Sequence, residues 1–274
     1  MTSSTPYRPR MTTVEHVAPL SVGELLRSWR ERRRLSQMDL ALDAEISTRH
    51  LSFVETGRSA PSRDMVLRLA DQLDVPLRER NQLLLAGGYA PVYSQATLDA
   101  PEMAEVRAAV RQVLTGHEPY PAAAVDRHWN LVEANSGIAL MTADVDAELL
   151  DAPPNAMRLA LHPGGLAPRI ANLGEWRAHL LSRLRRQVAL TADPVLADLL
   201  DEVRAYPFDE DEPDNEIPAA GEVFVPLRLR HGDAELAFFS TVTTFGTPLD
   251  VTVAELAIES FFPADETTAA ALRG

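Results

Sequence analysis

The chain contains no cysteine and no lysine, so all 26 of its basic residues are arginine. Without cysteine there can be neither disulfides nor thiolate metal sites, which is compatible with a reducing compartment. No apolar run approaches the ~18 residues that a membrane-spanning helix needs, and residues 1–20 lack the apolar core of a signal peptide. These absences predict a cytoplasmic protein that does not enter a membrane.

Catalytic signatures are missing as well. The chain has no G-x-S-x-G elbow, no P-loop, no paired-histidine metal motif and no glycine-rich dinucleotide turn. His162, Gly164 and Gly165 resemble the oxyanion-hole strand of esterases, but Pro163 followed by two glycines is more simply a turn. We therefore expect no enzymatic activity, no cofactor and no metal site.

Residues 36–63 contain two short helical patterns joined by a tight turn. Ser36 and Ser47 can each cap a helix, and the small Ala44 lies where the two helices would approach each other. Gly57 can end the second helix in the left-handed conformation that other residues resist. A capped helix pair alone is often only a helical hairpin, but these signals together indicate a helix-turn-helix.

Three further helical patterns surround this motif. One begins near Ser21, another follows Pro61 and its cap Ser62, and a third runs from Leu77 to Ala86. Five helices in roughly 65 residues predict a compact all-α DNA-binding domain. In such a domain the first turns of the second motif helix meet the major groove.

The segments LSQMDLA, ISTRHLSFVETGRSAPS and LRLADQLDVP resemble the xenobiotic-response-element (lambda-repressor-like) class of bacterial helix-turn-helix domains over residues 21–86. The expected partner is a double-stranded DNA operator. Because one short recognition helix contacts few bases, we expect a homodimer on an inverted repeat. The residues expected at DNA are Gln37, Ser47, Thr48, Arg49, Ser52, Arg58 and Arg63.

The resemblance implies a role for each of these positions. Thr48 and Arg49 would face base edges, and Ser52 would reach bases or phosphate. Gln37 would contact phosphate and brace the recognition helix, while the arginines at 58 and 63 would lie along the DNA backbone. Arg30 and Glu55 would form a structural ion pair away from DNA.

Acidic charge is concentrated in the second part of the chain. Residues 1–90 hold 13 arginines and 11 acids, a net charge of +2, whereas residues 91–274 hold 13 arginines and 29 acids, a net charge of −16. Because phosphate neutralisation is local, the first part can still bind DNA. The acidic part would repel a duplex, which favours a sensing or assembly role there.

The second part mixes helical and strand patterns. PAAAVDRHWNLVEAN predicts two short strands, after which Asn135 can cap a helix. Further helices are predicted from near Leu173 and from Pro194 behind the cap Asp193.

The end of the chain turns to strand spacing. Alternation around Gly232 and Asp233 predicts a hairpin with one buried side. Residues 251–262 suit a helix or a strand, and their β-branched and aromatic content favours a strand. Asp265 would cap a short final helix.

The segments HEPYPAAAVDRHWNLVEAN, NLGEWRAHLLSRLRR and FFSTVTTFGTPLDVTVAELAIESFFPADETT resemble the MmyB-like regulator ligand-binding domain over residues 100–272. The resemblance implies a PAS-like α+β domain with a five-stranded antiparallel sheet and helices inserted between its second and third strands. It also implies an internal, largely apolar pocket for which fatty-acid-like ligands are plausible.

Small residues would leave room in such a shell. The alanine-rich strand 122–124 offers little bulk, and two serines in the predicted inward faces offer hydrogen-bonding groups. The residues expected at the ligand are Trp129, Trp176, Val225, Leu227, Leu236, Phe238, Ser240, Val242 and Ser260. Filled by these side chains, the same faces would instead be an ordinary core.

These expectations divide the chain into a disordered tail (1–20), a helix-turn-helix DNA-binding domain (21–90) and a PAS-like ligand-binding domain (91–274). They predict a sequence-specific transcription regulator controlled by a small apolar, fatty-acid-like ligand. The alternative is a DNA-binding regulator whose C-terminal domain serves only for dimerisation or protein docking, without a small ligand.

Overall fold

The computed structural model describes residues 20–208 and 224–273. The tail expected over residues 1–20 therefore lies, except for Leu20, outside the described residues. The chain divides into two compact units, one with residues up to Val75 and Glu79–Pro91, the other with Pro76–Arg78 and the chain from Val92 onward. In the described ranges no helix is long and apolar enough to cross a membrane.

Four short helices and most of a fifth build the first unit. Their bounds are α1 (Val22–Arg32), α2 (Gln37–Asp43), α3 (Thr48–Glu55), α4 (Arg63–Gln72) and α5 (Leu77–Ala86). The hydroxyl oxygens of Ser36, Ser47 and Ser62 each accept a hydrogen bond from the backbone N–H three residues ahead, which satisfies a donor that the first helical turn leaves open. These caps confirm the sequence prediction.

The turns of this unit depend on backbone conformation as much as on side chains. Ala44 is fully buried between α2 and α3, as expected of a small residue at a close approach. Gly57 ends α3 with φ of 71°, which confirms the predicted stop. The left-handed residue of the α2–α3 turn is Glu45, with φ of 55°, a conformation that costs a residue with a Cβ about 1 kcal/mol.

Helix α1 packs directly on the backbone at the end of α3. A Cβ atom on Gly23 would lie 2.2 Å from the carbonyl oxygen of Val54. Atoms in well-packed interiors do not approach so closely, so only glycine permits this arrangement. The position of α3 is therefore set by a backbone contact in addition to side-chain burial.

The second unit is an α+β fold. Its helices are α6 (Ala104–Gly116), α7 (Ala139–Thr142), α8 (Ala156–Leu161), α9 (Leu173–Thr191), α10 (Pro194–Arg204), α11 (Val251–Ala254) and α12 (Glu266–Arg273). Its strands are β1 (Ala122–Val125), β2 (Leu131–Ala134), β3 (Leu227–His231), β4 (Ala234–Thr244) and β5 (Ala257–Pro263). Helices α9 and α10 begin where the sequence predicts, and Asp193 caps α10.

The five strands form one antiparallel sheet in the order β2-β1-β5-β4-β3. Helices α7 to α10 are inserted between β2 and β3, which confirms the predicted architecture. The main apolar cluster includes side chains of α8, α9 and α10 together with those of the sheet. A smaller cluster, with Val110 and Leu114 of α6, covers Ala122 and Ala124. Both faces of β1 are consequently buried.

The segment 251–262 differs from the predicted single strand. It forms α11 followed by β5, because the side chain of Asp250 accepts hydrogen bonds from the amides of Thr252 and Val253 and so caps a short helix. The first strand of the hairpin, β3, begins at Leu227, so Val225 precedes it. The first difference comes from local hydrogen bonding that apolar spacing does not reveal.

Asn135 occupies the N-cap position of a short 3₁₀ turn (Ser136–Ile138) ahead of α7, as the sequence predicts, but its side chain makes no capping hydrogen bond. Its Oδ1 accepts a hydrogen bond from the amide of Ala122 at 2.9 Å. Its Nδ2 donates to the carbonyl oxygens of Leu114 and Tyr120 at 3.2 and 2.7 Å. The residue instead ties the end of α6 to the start of β1.

Candidate DNA interface and ligand cavity

The start of α3 carries the residues predicted to read DNA. Thr48 and Arg49 are exposed in its first turn, and Ser52 is half-buried one turn later. The exposed Ser47 uses its hydroxyl oxygen to accept a hydrogen bond from the amide of His50 at 3.1 Å. A helix N-terminus with open backbone donors attracts phosphate, so this end of α3 suits a nucleic-acid backbone.

Phe53 positions two of the predicted arginines. The guanidinium carbons of Arg49 and Arg58 lie 5.3 and 6.0 Å from its ring centroid, within the range of cation–π attraction. Both arginines remain exposed, and so does Arg63 in the first turn of α4. The sequence analysis missed Phe53, although its i+4 spacing from Arg49 would have placed the two side by side on a helix.

A buried ion pair holds α3 against α1. Nε and Nη2 of Arg30 donate to the two carboxylate oxygens of Glu55 at 2.7 and 3.0 Å, as the resemblance implies. Hydrogen bonding to Glu55 raises the pKa of Arg30. Nε2 of Gln37 donates to the same carboxylate at 2.8 Å. Gln37 therefore braces α2 against α3, while its contact with phosphate remains a prediction.

An apolar cavity of about 90 Å³ lies inside the second unit, between the sheet and helices α7, α8 and α9. Residues in its wall include Ala123, Val125, Trp129, Met141, Thr142, Met157, Trp176, Leu180, Leu227, Glu259 and Phe261. For comparison, an engineered apolar cavity of ~150 Å³ stays dry and binds benzene. The observed space therefore fits a short apolar group, or part of a longer one.

One stripe of α9 faces the cavity and the turn before β2. Trp176 and Leu180 line the cavity, and Gln187, farther along the stripe, accepts a hydrogen bond from Nε1 of Trp129 at 2.8 Å. The guanidinium carbon of Arg183 lies 4.4 Å from the ring centroid of Trp129. The hydrogen bond and the stacking fix the indole ring as part of the wall.

Among the described residues that line the cavity, the charged one is Glu259. It is 9% exposed and pairs across the sheet with Ala123, which also lines the cavity. Residues directly opposite on antiparallel strands share one face of the sheet. Nη1 of Arg183 donates to Oε1 of Glu259 at 3.0 Å, so a paired carboxylate stands at the edge of an apolar wall.

The structure brings some of the predicted ligand residues to the cavity. Trp129, Trp176 and Leu227 line it. Leu236 and Phe238 are buried in the surrounding core cluster, and half-buried Val225 packs against that cluster. The last three therefore support the wall from outside.

The two predicted serines lie on opposite faces of the sheet. Ser240 pairs with Phe261, a cavity residue, and Val242 pairs with Glu259, so both are on the face of the sheet that carries the cavity. Neither lines the cavity, however, and Val242 is 46% exposed. Ser260 pairs with Ala122 on the face covered by α6. The pairing of Glu259 with Ala123 and of Phe261 with Ser240 places Glu259 and Phe261 inward. The sequence analysis missed both because it took the alternate residues as the inward face.

The LHPGGL segment is a compact turn. The amides of Gly164 and Gly165 donate to Nδ1 and the carbonyl oxygen of His162 at 3.0 and 2.8 Å, respectively. The amide of Leu166 donates to the carbonyl oxygen of Leu159 at 2.7 Å. These donors, which an oxyanion hole would need free, are used within the turn and α8.

A helix-turn-helix unit followed by an α+β unit with an internal cavity defines a DNA-binding transcription regulator with a ligand-binding domain. The family model described as the MmyB-like transcription regulator ligand binding domain matches residues 106–274. A helix-turn-helix domain model matches residues 21–83. The chain thus belongs to the family with the MmyB-like ligand-binding domain.

No curated protein matches this chain. Among solved structures, it is similar to one titled "Structure of an RNA-binding Light-Oxygen-Voltage Receptor", with 14% sequence identity and a TM-score of 0.27. The match covers 92% of this chain and 62% of that chain, so this chain spans less than two thirds of the receptor. A likeness this distant has no bearing on function.

Proposed function

We propose that this regulator acts in the cytoplasm as a homodimer on an inverted repeat, and that a small apolar ligand in the cavity controls it. The cavity supports control by a small apolar ligand, because apolar side chains line it almost throughout. The resemblance implies fatty-acid-like ligands, and about 90 Å³ admits only a short chain unless α7 and α8 move.

The recognition surface supports the first half of the proposal. The exposed Arg49 projects from the first turn of α3, and Phe53 limits the directions in which its guanidinium can point. An arginine fixed before binding loses less conformational freedom when it pairs with a guanine edge. Arg49 is therefore our candidate base reader, and Arg63 on α4 our candidate phosphate contact.

Arg49→Ala is expected to lower discrimination between operator and scrambled DNA by ~1 to 3 kcal/mol, because a base contact is lost. Arg63→Ala should weaken binding to both duplexes alike and reduce the slope of log affinity against log salt by about one unit, because a phosphate contact is lost.

Footprinting with genomic DNA would supply the operator, where two half-sites roughly 34 Å apart indicate a dimer. Titrations at several salt concentrations then compare the variants. Equal losses on both duplexes for Arg49→Ala would contradict its assignment.

A ligand that fills the cavity should copurify with the full chain and appear in mass spectra after denaturation. Added back at about a hundred times its Kd, it should stabilise its domain by about 2.7 kcal/mol. Ala160 lines the cavity, and in Ala160→Leu the larger side chain would occupy the space of the ligand. This substitution should abolish both copurification and stabilisation. Ala108→Leu, at an exposed position of α6, is the matched control and should preserve them. If the chain binds no small ligand, the C-terminal domain serves only for dimerisation or protein docking.

A further inference from the structure

We propose that the cavity selects a ligand whose apolar body ends in a neutral hydrogen-bond donor, such as a hydroxyl group, and that Glu259 accepts this hydrogen bond. The inference rests on the proposed ligand site and adds the chemistry of the ligand's polar end. It departs from the fatty-acid-like class that the family resemblance implies, because a free carboxylate lacks the required donor at neutral pH.

The hydrogen bonding of Glu259 leaves a place for such a donor. Oε1 accepts a hydrogen bond from Arg183, whereas Oε2 accepts none from the described part of the chain. Ala123 and Phe261, on the same face of the sheet, line the cavity with Glu259. A carboxylate oxygen beside an apolar cavity gains stability from any donor that reaches it. A ligand hydroxyl group supplies one.

The pairing of Glu259 with Arg183 decides the charge of the ligand's polar end. The pair is balanced, because one cation already faces one anion at 3.0 Å. A ligand carboxylate would bring a second anion next to Glu259, which like charges at short range disfavour. A ligand ammonium would leave an excess positive charge in an apolar wall. A hydroxyl group donates a hydrogen bond without changing the balance.

Arg183 is not positioned to replace Glu259 as the binding group. Its guanidinium stacks on the ring of Trp129, 4.4 Å from the centroid, and it is not among the residues that line the cavity. Apart from the indole N–H groups of Trp129 and Trp176, the other polar side chain among the described lining residues is that of Thr142, whose hydroxyl donates to the carbonyl oxygen of Ile138 at 3.3 Å. Thr142 thus provides a control for Glu259 in the same cavity.

The test compares 1-hexanol, hexanoate and hexylammonium by tryptophan fluorescence titration of the full chain at neutral pH. Trp129 and Trp176 lie in the cavity wall and report occupancy. We expect 1-hexanol to bind at least about tenfold more tightly than either charged probe. Glu259→Gln should bring the hexanol and hexanoate affinities together, because the like-charge repulsion is gone. Thr142→Val should leave the wild-type ratio unchanged.

Three results would overturn the inference. If hexanoate or hexylammonium binds wild-type protein as tightly as 1-hexanol, the neutral polar end is wrong while the cavity stands as a ligand site. If Thr142→Val, and not Glu259→Gln, changes the ratio, the polar end of the ligand lies elsewhere. If no probe binds and no ligand copurifies, the cavity is not a ligand site, and the proposed function fails with the inference. The wild-type comparison decides the first point even if a variant fails to fold.

Discussion

Glu55→Ala is expected to lower the free energy of unfolding of the DNA-binding unit by about 3 to 5 kcal/mol, the usual cost of removing one partner of a buried ion pair. The Glu55 side chain is 1% exposed and that of Arg30 is 10% exposed. The substitution would leave the Arg30 guanidinium with the exposed Glu31, 3.8 Å away, as its remaining anion among the described residues, and Gln37 without its acceptor. Hydrogen exchange of peptides from α1 and α3 measures the loss in this unit alone.

The same substitution at Glu31 is the matched control. Glu31 pairs with Arg27 at 2.8 Å and lies 3.8 Å from Nη2 of Arg30, but its side chain and that of Arg27 are more than half exposed. Water and salt screen such pairs, so Glu31→Ala should leave hydrogen exchange in α1 and α3 nearly unchanged. Equal protection in both variants would show that the buried pair contributes no more than a surface pair.

Gly23→Ala is expected to destabilise the same unit by about 1 to 3 kcal/mol and to weaken operator binding. Alanine normally stabilises a helix relative to glycine by about 1 kcal/mol. Here its Cβ would lie 2.2 Å from the carbonyl oxygen of Val54, so α1 and α3 must separate, and overpacking of this kind is costly. In a small domain each kcal/mol lowers the Tm by about 4 to 8 °C, which thermal unfolding detects.

Gly116→Ala provides the control for this experiment. Gly116 is the last residue of α6, and a Cβ there would meet no atom within 4 Å. The substitution should therefore leave the Tm unchanged or raise it slightly. An unchanged Tm in Gly23→Ala would mean that α1 can shift away from α3 without loss of packing.

Local chemistry made the DNA-binding unit predictable from sequence. A serine before a helix, a glycine after one and apolar spacing each act within about five residues, so Ser36, Ser47 and Gly57 could be assigned directly. Only one of the two contacts with Phe53 could be predicted from sequence. Arg49 lies on α3 four residues before Phe53, whereas Arg58 lies beyond the end of α3. Gly23 gave no signal, since its role depends on a backbone 31 residues away.

The ligand cavity was less predictable, for a physical reason. Alternation in a strand predicts two faces but does not say which one meets the cavity when both are covered. The α11 helix, capped by Asp250, precedes β5, and the register of β5 on β1 sets Glu259 inward, opposite Ala123, and Ser260 outward, opposite Ala122. The sequence by itself determined the helix caps of the DNA-binding unit, the order of helices and strands apart from α11, and the aromatic residues Trp129 and Trp176 of the wall. Only the tertiary structure decided the phase of β5, and with it the carboxylate at the cavity, because strand register depends on partners distant in the chain.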